Sequence, residues 1–492
     1  MFIGREEQLE QLDALWRKNV ASLVTCRGRR RIGKSTLIEE FARRSRVKFI
    51  KVEGLPPEEG VDNETQLKVF ADQLSEQMGR EIAQPKDWFA AFATLNECIS
   101  PKAKTIVLID EISWMGKFDP TFSAQLKYAW DNRFAKKSRL IVVLCGSVSS
   151  WINEKILKSK GFVGRPSLNL IVPELSIGES RAFWSARNGG AKIAASEIFD
   201  VLSITGGVPK YLESIDPTVS ANENVRRLCF TRGGLLVDEF EDIFNDALDE
   251  NQAVRKKILE ALINGPMDVG RIAEMCSLDP NGHLSANLES LEAAGFVAKD
   301  VGLNPLSGKK SKAATYRICD NYTRFYLKYI EPDKDLIKRG AYGFLSIDQL
   351  PGWNAILGLQ FESLVYNNLV PVMKLLNLER TLLKSAAPFR QNKTQRSEAC
   401  QIDLLLQTRH TMYVIEIKRR EQIGEEVVRE VKEKLDKFKV RNGMSVIPVL
   451  VYSGNLSRRV LADGYFARVI SAEDLMGREF YGDSPRVRRV GG

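Results

Sequence analysis

Short apolar runs and helical patterns alternate over the first third of the chain. Ala21 to Cys26, Lys48 to Val52, Thr105 to Ile109 and Leu140 to Leu144 are mostly apolar, and segments such as Lys34 to Arg44 between them repeat at helical spacing. Apolar runs of this kind are buried on both faces, so the pattern predicts a parallel sheet with crossover helices from Phe2 to about Leu170. From Ser176 to about Phe244 the pattern turns helical, punctuated by Gly206, Gly207 and Pro209. That change predicts a small helical subdomain after the sheet.

Farther along come a helix (Ala253 to Asn264), a Gly-Pro break, a short helix (Val269 to Cys276), a third helix (Leu284 to Ala294), and then Gly295 and a strand-like tail. This is the order of a winged helix-turn-helix, with Lys309, Lys310 and Lys312 on the wing. If the third helix enters a major groove, Ser285, Asn287 and Ser290 lie near bases. A connector between protein partners fits the same helices equally well, since they carry as many acids as an ordinary surface. Asp320 to Ile330 is aromatic and amphipathic, and Glu331 to Asp335 reads as a charged linker. The predicted boundaries are 1–171 for the sheet domain, 172–250 for the helical lid, 251–330 for the winged helix and 331–492 for a last α/β domain. No internal repeat or low-complexity tract interrupts them.

A length of 492 residues agrees with this count, at roughly 100–200 residues per domain. With 44% hydrophobic and 27% charged residues, a fibrous or disordered chain is excluded. No apolar run approaches the roughly 20 residues that cross a bilayer. Arg5, Glu6 and Glu7 precede any stretch long enough for a signal-peptide core, so a cytoplasmic protein without membrane contact is expected. The seven cysteines include no CxxC pair and read as reduced thiols. His283 and His410 are the two histidines, too few for a multi-histidine metal site; oxygen-ligated Mg²⁺ stays open. The net charge is +9, and Glu331 to Gly492 holds 26 basic against 20 acidic residues, six of that nine. Nucleic acid is therefore expected at the C-terminal third.

Gly28 to Ser35 reads GRRRIGKS, which satisfies G-x-x-x-x-G-K-[ST] between a predicted strand and a predicted helix. In that context Gly28 and Gly33 let the loop wrap a phosphate and Lys34 reaches the β- and γ-phosphates. Ser35 ligates Mg²⁺ and Thr36 stands near the α-phosphate. Thr105 to Ile112 reads TIVLIDEI, a buried strand ending in two carboxylates. Asp110 is assigned to the Mg²⁺ and Glu111 to polarising the attacking water, the step that separates a hydrolase from a passive binder. The next strand runs into Gly146 and Ser147, and Ser147 is assigned a sensing or water-positioning role.

These motifs resemble the archaeal-type ATPase family, a branch of the AAA+-like and STAND-like P-loop NTPases. The resemblance extends over about Met1 to Phe244. It includes FIGREEQLEQL (Phe2 to Leu12), GRRRIGKSTLI, VLIDEI, LCGSVSSW (Leu144 to Trp151), GFVGRP (Gly161 to Pro166) and TGGVPKYLE (Thr205 to Glu213). It implies an ATP site in which Phe2, Gly4 and Arg5 pack near the adenine. It also implies Arg165 as an arginine finger, in cis or from a neighbouring copy, and Lys210 at the lid position. For Arg165 and Lys210 an ordinary salt-bridged or solvated residue at a domain junction fits the pattern as well.

In the last domain, Leu357 to Leu369 (LGLQFESLVYNNL) is a helix that carries Glu362 near its buried side. Two apolar strands follow, Gln401 to Gln407 and Met412 to Lys418, joined by a turn at Thr408 to Thr411. Strand periodicity sets Glu416 and Lys418 on one face. A charged helix (Glu425 to Val440) and an apolar strand (Val446 to Tyr452) complete an order that resembles the restriction-endonuclease-like PD-(D/E)xK nucleases over about Trp353 to Ile470. The resemblance implies that Asp403 and Glu416 hold Mg²⁺, that Glu362 contributes from the helix and that Lys418 steers water or stabilises charge on phosphorus. Gln401-Ile402 before Asp403 departs from the family's Pro-Asp pair. Exposed charges at the ends of apolar strands would give the same pattern.

The reading is thus an α/β multidomain protein: a P-loop NTPase parallel sheet with helical lid, a winged helix, and a restriction-endonuclease-like domain. Its expected activity is Mg²⁺-dependent ATP binding and hydrolysis in a nucleotide switch coupled to DNA, with DNA cleavage left open. The alternative is a STAND-like signalling or scaffold NTPase with protein partners and a degenerate nuclease fold. A homo-oligomer suits either.

Overall fold

The computed structural model describes residues 2–147, 150–185, 193–247, 251–311, 314–391, 393 and 398–477. Apart from two short segments, the chain divides into two compact units, one reaching Glu174 and the other starting at Leu175.

The first unit is built on five parallel strands: β1 (Ser22–Gly28), β2 (Lys48–Glu53), β3 (Thr105–Asp110), β4 (Leu140–Ser147) and β5 (Pro166–Ile171). Their order across the sheet is β2-β3-β4-β1-β5. The four runs read from the sequence are β1 to β4. The fifth strand, β5, has an alternating exposure pattern, because it is an edge strand with one covered face.

Local chemistry sets the helix limits. Asp62 begins the helix Asn63–Met78 by accepting the Thr65 N–H at 2.8 Å, and Gly79 ends it at φ 62°, the left-handed conformation that glycine adopts without penalty. Asp87 caps Trp88–Cys98 in the same way. This second helix brings Trp88 against Phe122 (ring centroids 4.9 Å apart) and Phe70 (5.6 Å), both edge-on, with its indole N–H donated to Asn63 at 2.8 Å. These rings pack with Val107, Ile109 and Val142 of the sheet.

The second unit opens with helices, among them Ala195–Thr205, Pro209–Leu212, Ala221–Cys229 and Leu235–Ala247. Next come the helix Gln252–Leu262, β6 (Met267–Asp268), the helices Val269–Cys276 and Gly282–Ala293, β7 (Val297–Asp300) and β8 (Thr315–Ile318). Strands β6, β8 and β7 form an antiparallel sheet in that order. The aromatic stretch after β8 is buried through Tyr322, Phe325, Tyr326 and Tyr329. In the stretch that reads as a linker, Glu331 pairs with Lys256 at 2.5 Å and Lys334 with Asp238 and Glu241 at 2.7 and 2.6 Å.

A second five-stranded sheet contains β9 (Ser385–Gln391), β10 (Cys400–Gln407), β11 (Thr411–Ile423), β12 (Ser445–Leu456) and β13 (Arg468–Ser471), in the order β13-β12-β11-β10-β9. Strands β9, β10 and β11 pair antiparallel, and β11, β12 and β13 parallel. The helix Glu426–Lys437 is the crossover from β11 to β12, and Trp353–Asn367 packs against β11.

Replacing Trp88 with alanine empties the centre of the first unit and leaves Asn63 without its donor. The expected loss is about 3–5 kcal/mol, read as a lowered urea midpoint for that unit, with Trp88→Phe losing clearly less. A Trp88→Ala midpoint equal to wild type would contradict this packing.

Candidate functional site

The first candidate site lies at the end of β1. Gly28 is in register with Ser147 of β4, and β3 lies on the other side of β4. One strand therefore separates the loop after Gly28 from Asp110 and Glu111, and the end of that strand brings Ser147 between them. The Ser147 backbone belongs to β4, while its side chain lies outside the described residues.

The two glycines of the loop are needed for different reasons. A Cβ on Gly28 would stand 2.5 Å from the Val172 carbonyl oxygen, closer than real Cβ contacts come. Gly33 has open space but adopts φ 85°, which strains any side chain. As the residue before the helix Lys34–Ser45 it offers no side-chain acceptor, so the first-turn N–H groups are left for an anion. Lys34 is buried, and its Nζ donates to the carbonyls of Gly28 and Arg29, each at 3.2 Å. The ammonium thus lies over the loop it would serve. Ser35 is half-buried and Thr36 exposed.

Asp110 ends β3 almost fully buried. Its Oδ1 accepts the Glu111 N–H at 3.1 Å, and Lys51 Nζ on the neighbouring β2 stands 3.6 Å from Oδ2. Sequence reasoning did not single out Lys51, because its place beside β3 comes only from the pairing of the two strands. Glu111 adopts φ 45° and ψ 47°, a conformation costing a non-glycine residue roughly 1–2 kcal/mol. The backbone turns sharply there, directly after the strand. Ser35 and Asp110 carry hard oxygen donors of the kind Mg²⁺ takes, so their chemistry fits that ion.

The residues assigned by resemblance fall in several places. Arg5 is 4% exposed and donates to the carbonyls of Pro173 at 2.5 Å and Ile32 at 3.1 Å. It ties the N-terminal segment to the loop. Gly4 has φ 68°, and the Phe2 ring lies 5.7 Å from the Arg44 guanidinium. Arg165 is engaged in both directions by Asp131, at 2.7 and 2.8 Å, and its guanidinium beside Asp131 holds that carboxyl at about 2. Lys210 is exposed on a short helix of the second unit.

The second candidate site is in the C-terminal sheet. Asp403 on β10 is 7% exposed, accepts the Ile417 N–H at 2.8 Å, and receives the Tyr366 hydroxyl on its backbone carbonyl at 2.6 Å. Glu416 on β11 is fully buried. Lys418, two residues on, reaches it at 2.7 Å, as strand periodicity requires, and also pairs with Glu430 at 2.9 Å. Lys434, which sequence reasoning passed over, donates to both Glu416 oxygens at 2.7 and 2.6 Å. Burial, reinforced by the Glu416 charge, pushes the Asp403 carboxyl up to about 7. Burial also raises Glu362, whose field includes Arg324, Glu416 and Lys418. Glu362, Asp403, Glu416 and Lys418 thus share one electrostatic neighbourhood. Among the described residues, no group of three or more His, Cys, Asp or Glu side chains is arranged to hold a metal ion.

In the helix Gly282–Ala293, Asn287 is buried and accepts from Arg255 Nε at 3.0 Å, and Ser290 accepts from the same guanidinium at 3.2 Å. Asn287 therefore packs inward instead of facing a groove. Ser285, Lys309 and Lys310 are exposed, and Lys312 lies outside the described residues.

Residues 2–215 match a family described as an ATPase domain predominantly from Archaea. That part of the chain is an ATPase domain of the archaeal type. An uncharacterized protein of Methanocaldococcus jannaschii is 26% identical over 394 residues, 78% of this chain and 81% of the relative. An alignment of that length cannot be contained in the ATPase domain alone. An uncharacterized ATP-binding protein of the same organism is 44% identical over 48 residues, 10% of this chain and 81% of its own length. Among solved structures, a Walker-type ATPase of Pyrococcus abyssi is similar with a TM-score of 0.49 at 18% identity, covering 66% of this chain and 96% of that one. No described helix is long and apolar enough to cross a membrane.

Asp403 supplies a pH test. Its carboxyl titrates near 7 in the fold against about 3.9 unfolded, so between those values the folded state binds more protons and stability falls as pH rises. Asp403→Asn removes this dependence. The variant is expected to gain melting temperature relative to wild type between pH 5 and pH 8; a constant difference across that range would refute the assignment.

Proposed function

We propose that the protein is a Mg²⁺-dependent ATPase that works as a nucleotide switch on DNA. The observation that carries the reading is the three-strand register in which the Gly28–Ser35 loop, the end of β4 and the Asp110–Glu111 pair come to one edge of one sheet. In this reading the loop N–H groups and Lys34 hold the polyphosphate, and Ser35 and Asp110 hold the metal ion. When bound, that ion neutralises charge on the β- and γ-oxygens. Glu111, turned out of the strand by its left-handed backbone, accepts the proton of the attacking water. Ser147 senses the γ-phosphate. Phe2, Gly4 and Arg5 line the base side, and Lys210 belongs to a lid.

Arg165 is reserved by Asp131, so the chain's own copy is not positioned as a finger without breaking a bidentate pair. An arginine from a neighbouring copy then requires a homo-oligomer.

The DNA part of the reading rests on the second unit. Its helix-strand-helix-helix-strand-strand order from Gln252 to Ile318 supports reading it as a winged helix. The mixed sheet with Asp403 and Glu416 on adjacent strands supports the restriction-endonuclease-like reading of the last domain. The basic surplus of the last third favours a polyanionic partner. The covalent route for coupling in this reading is residues 172–175. The Val172 N–H donates to the Arg27 carbonyl at 2.7 Å within the first unit, and the Leu175 N–H donates to the Gly207 carbonyl at 2.8 Å within the second.

Lys34→Ala should abolish nucleotide binding in a calorimetric titration. Glu111→Gln should keep binding while lowering turnover about a hundredfold or more, in line with loss of a general base. ATP turnover is then compared with and without duplex and single-stranded DNA, alongside DNA-binding anisotropy. Turnover that DNA leaves unchanged, with no DNA binding in any nucleotide state, would move the assignment to a STAND-like signalling switch.

A further inference from the structure

The helix Glu426–Lys437 has a basic, acidic and apolar sequence in which Val427, Val428 and Val431 are buried. Lys434 is seven residues after Val427 and three after Val431, on the same side of a 3.6-residue repeat. Helical geometry therefore carries this lysine inward, to the buried carboxylate of Glu416. Both Glu416 oxygens accept from Lys434 Nζ at 2.7 and 2.6 Å, and Lys418 adds a contact at 2.7 Å. The Lys434 carbonyl also accepts from the Cys400 thiol at 3.5 Å on β10, which anchors that turn of the helix to the sheet. Of the two carboxylates on these adjacent strands, one thus already has two cations, and the other has one oxygen committed to the Ile417 N–H.

A divalent ion bound at these strands takes carboxylate oxygens that are not already paired with cations. We propose that Lys434 is a resident counter-cation, occupying the position at Glu416 that a divalent ion would need, and that the C-terminal site holds a nucleic-acid phosphate backbone without assembling a metal for cleavage. The donor set does not fit a resident Mg²⁺. The second half of the proposal rests on the DNA-binding reading, whereas the first is measured without nucleotide or DNA.

The test is Mn²⁺ titration of nucleotide-free, full-length protein by calorimetry and Mn²⁺ paramagnetic resonance. Wild type and Asp403→Asn are expected to give the same binding curve. Lys434→Met should gain one site, tighter by on the order of tenfold than any wild-type binding, and Lys434→Met/Asp403→Asn should lose it again. One Mn²⁺ per wild-type chain that disappears in Asp403→Asn would overturn the proposal, as would a folded Lys434→Met protein that gains no site. If Lys434→Met does not fold, the wild-type and Asp403→Asn comparison decides alone. Duplex DNA mixed with Mn²⁺ and wild-type protein should be bound and left uncut; Asp403-dependent cuts would also overturn it. Absent DNA binding with the expected Mn²⁺ curves would instead count against the DNA reading and leave the Lys434 assignment standing.

Discussion

A buried sheet has few places for charge. Its strands hydrogen-bond to each other along both edges and bury side chains on both faces, so ionised groups gather where strands end and loops begin. The first candidate site follows this constraint, and the second departs from it. Val107, Leu108 and Ile109 are fully buried before Asp110, and the Asp110–Glu111 pair comes where β3 stops. In the second unit Ile415 and Ile417 flank Glu416, so the carboxylate sits inside the strand rather than at its end. A fully buried charge of that kind is tolerated only when it is paired. The two lysines are that pairing.

The same reasoning explains how the second unit is organised around its sheet. The helical stretch after Leu175 bonds to the C-terminal sheet and its flanking helices at several separate points. Asp200 pairs with Arg419 of β11, Asn368 accepts the Ile177 N–H at 2.9 Å, and Arg181 donates to the Met476 carbonyl at 2.8 Å. These contacts lie 191 residues or more apart in the chain. The helices around Gly206 and Gly207 are therefore bonded into the same unit as the sheet that holds Asp403.

Much of this was legible in the sequence because the relevant signals are local. Four apolar runs correspond to β1 to β4, and the G-x-x-x-x-G-K-S loop falls between a strand and a helix. Glu416 and Lys418 meet because a strand repeats every two residues. What was not legible depends on a neighbour in space. Lys51 becomes relevant only once β2 lies beside β3, and β5 alternates because nothing covers one of its faces. Arg165 matches a family motif, yet Asp131, 34 residues earlier, claims its guanidinium. Asn287 looks exposed in a polar helix until Arg255 from another helix reaches it. Lys434 is the sharpest case, since a lysine among glutamates reads as a solvated face. Only the register of Val427 and Val431 shows that it points inward.

The two carboxylate sites also differ in how completely their charge is already answered. At Asp110 the nearest cation, Lys51, remains 3.6 Å away, and the other oxygen accepts a backbone N–H. That distance is a partial pairing, so an arriving cation competes with one long contact. At Glu416 the competing contacts are three, all between 2.6 and 2.7 Å. Hydrogen bonds between ionised partners in a buried setting are among the strongest a side chain makes. An incoming ion would have to displace two ammonium groups from Glu416, although Lys418 would keep its pairing with Glu430. A carboxylate in one sheet thus carries one long cation contact, and a carboxylate in the other carries three short ones. The difference lies in whether the neighbouring helix presents a cation to the strand.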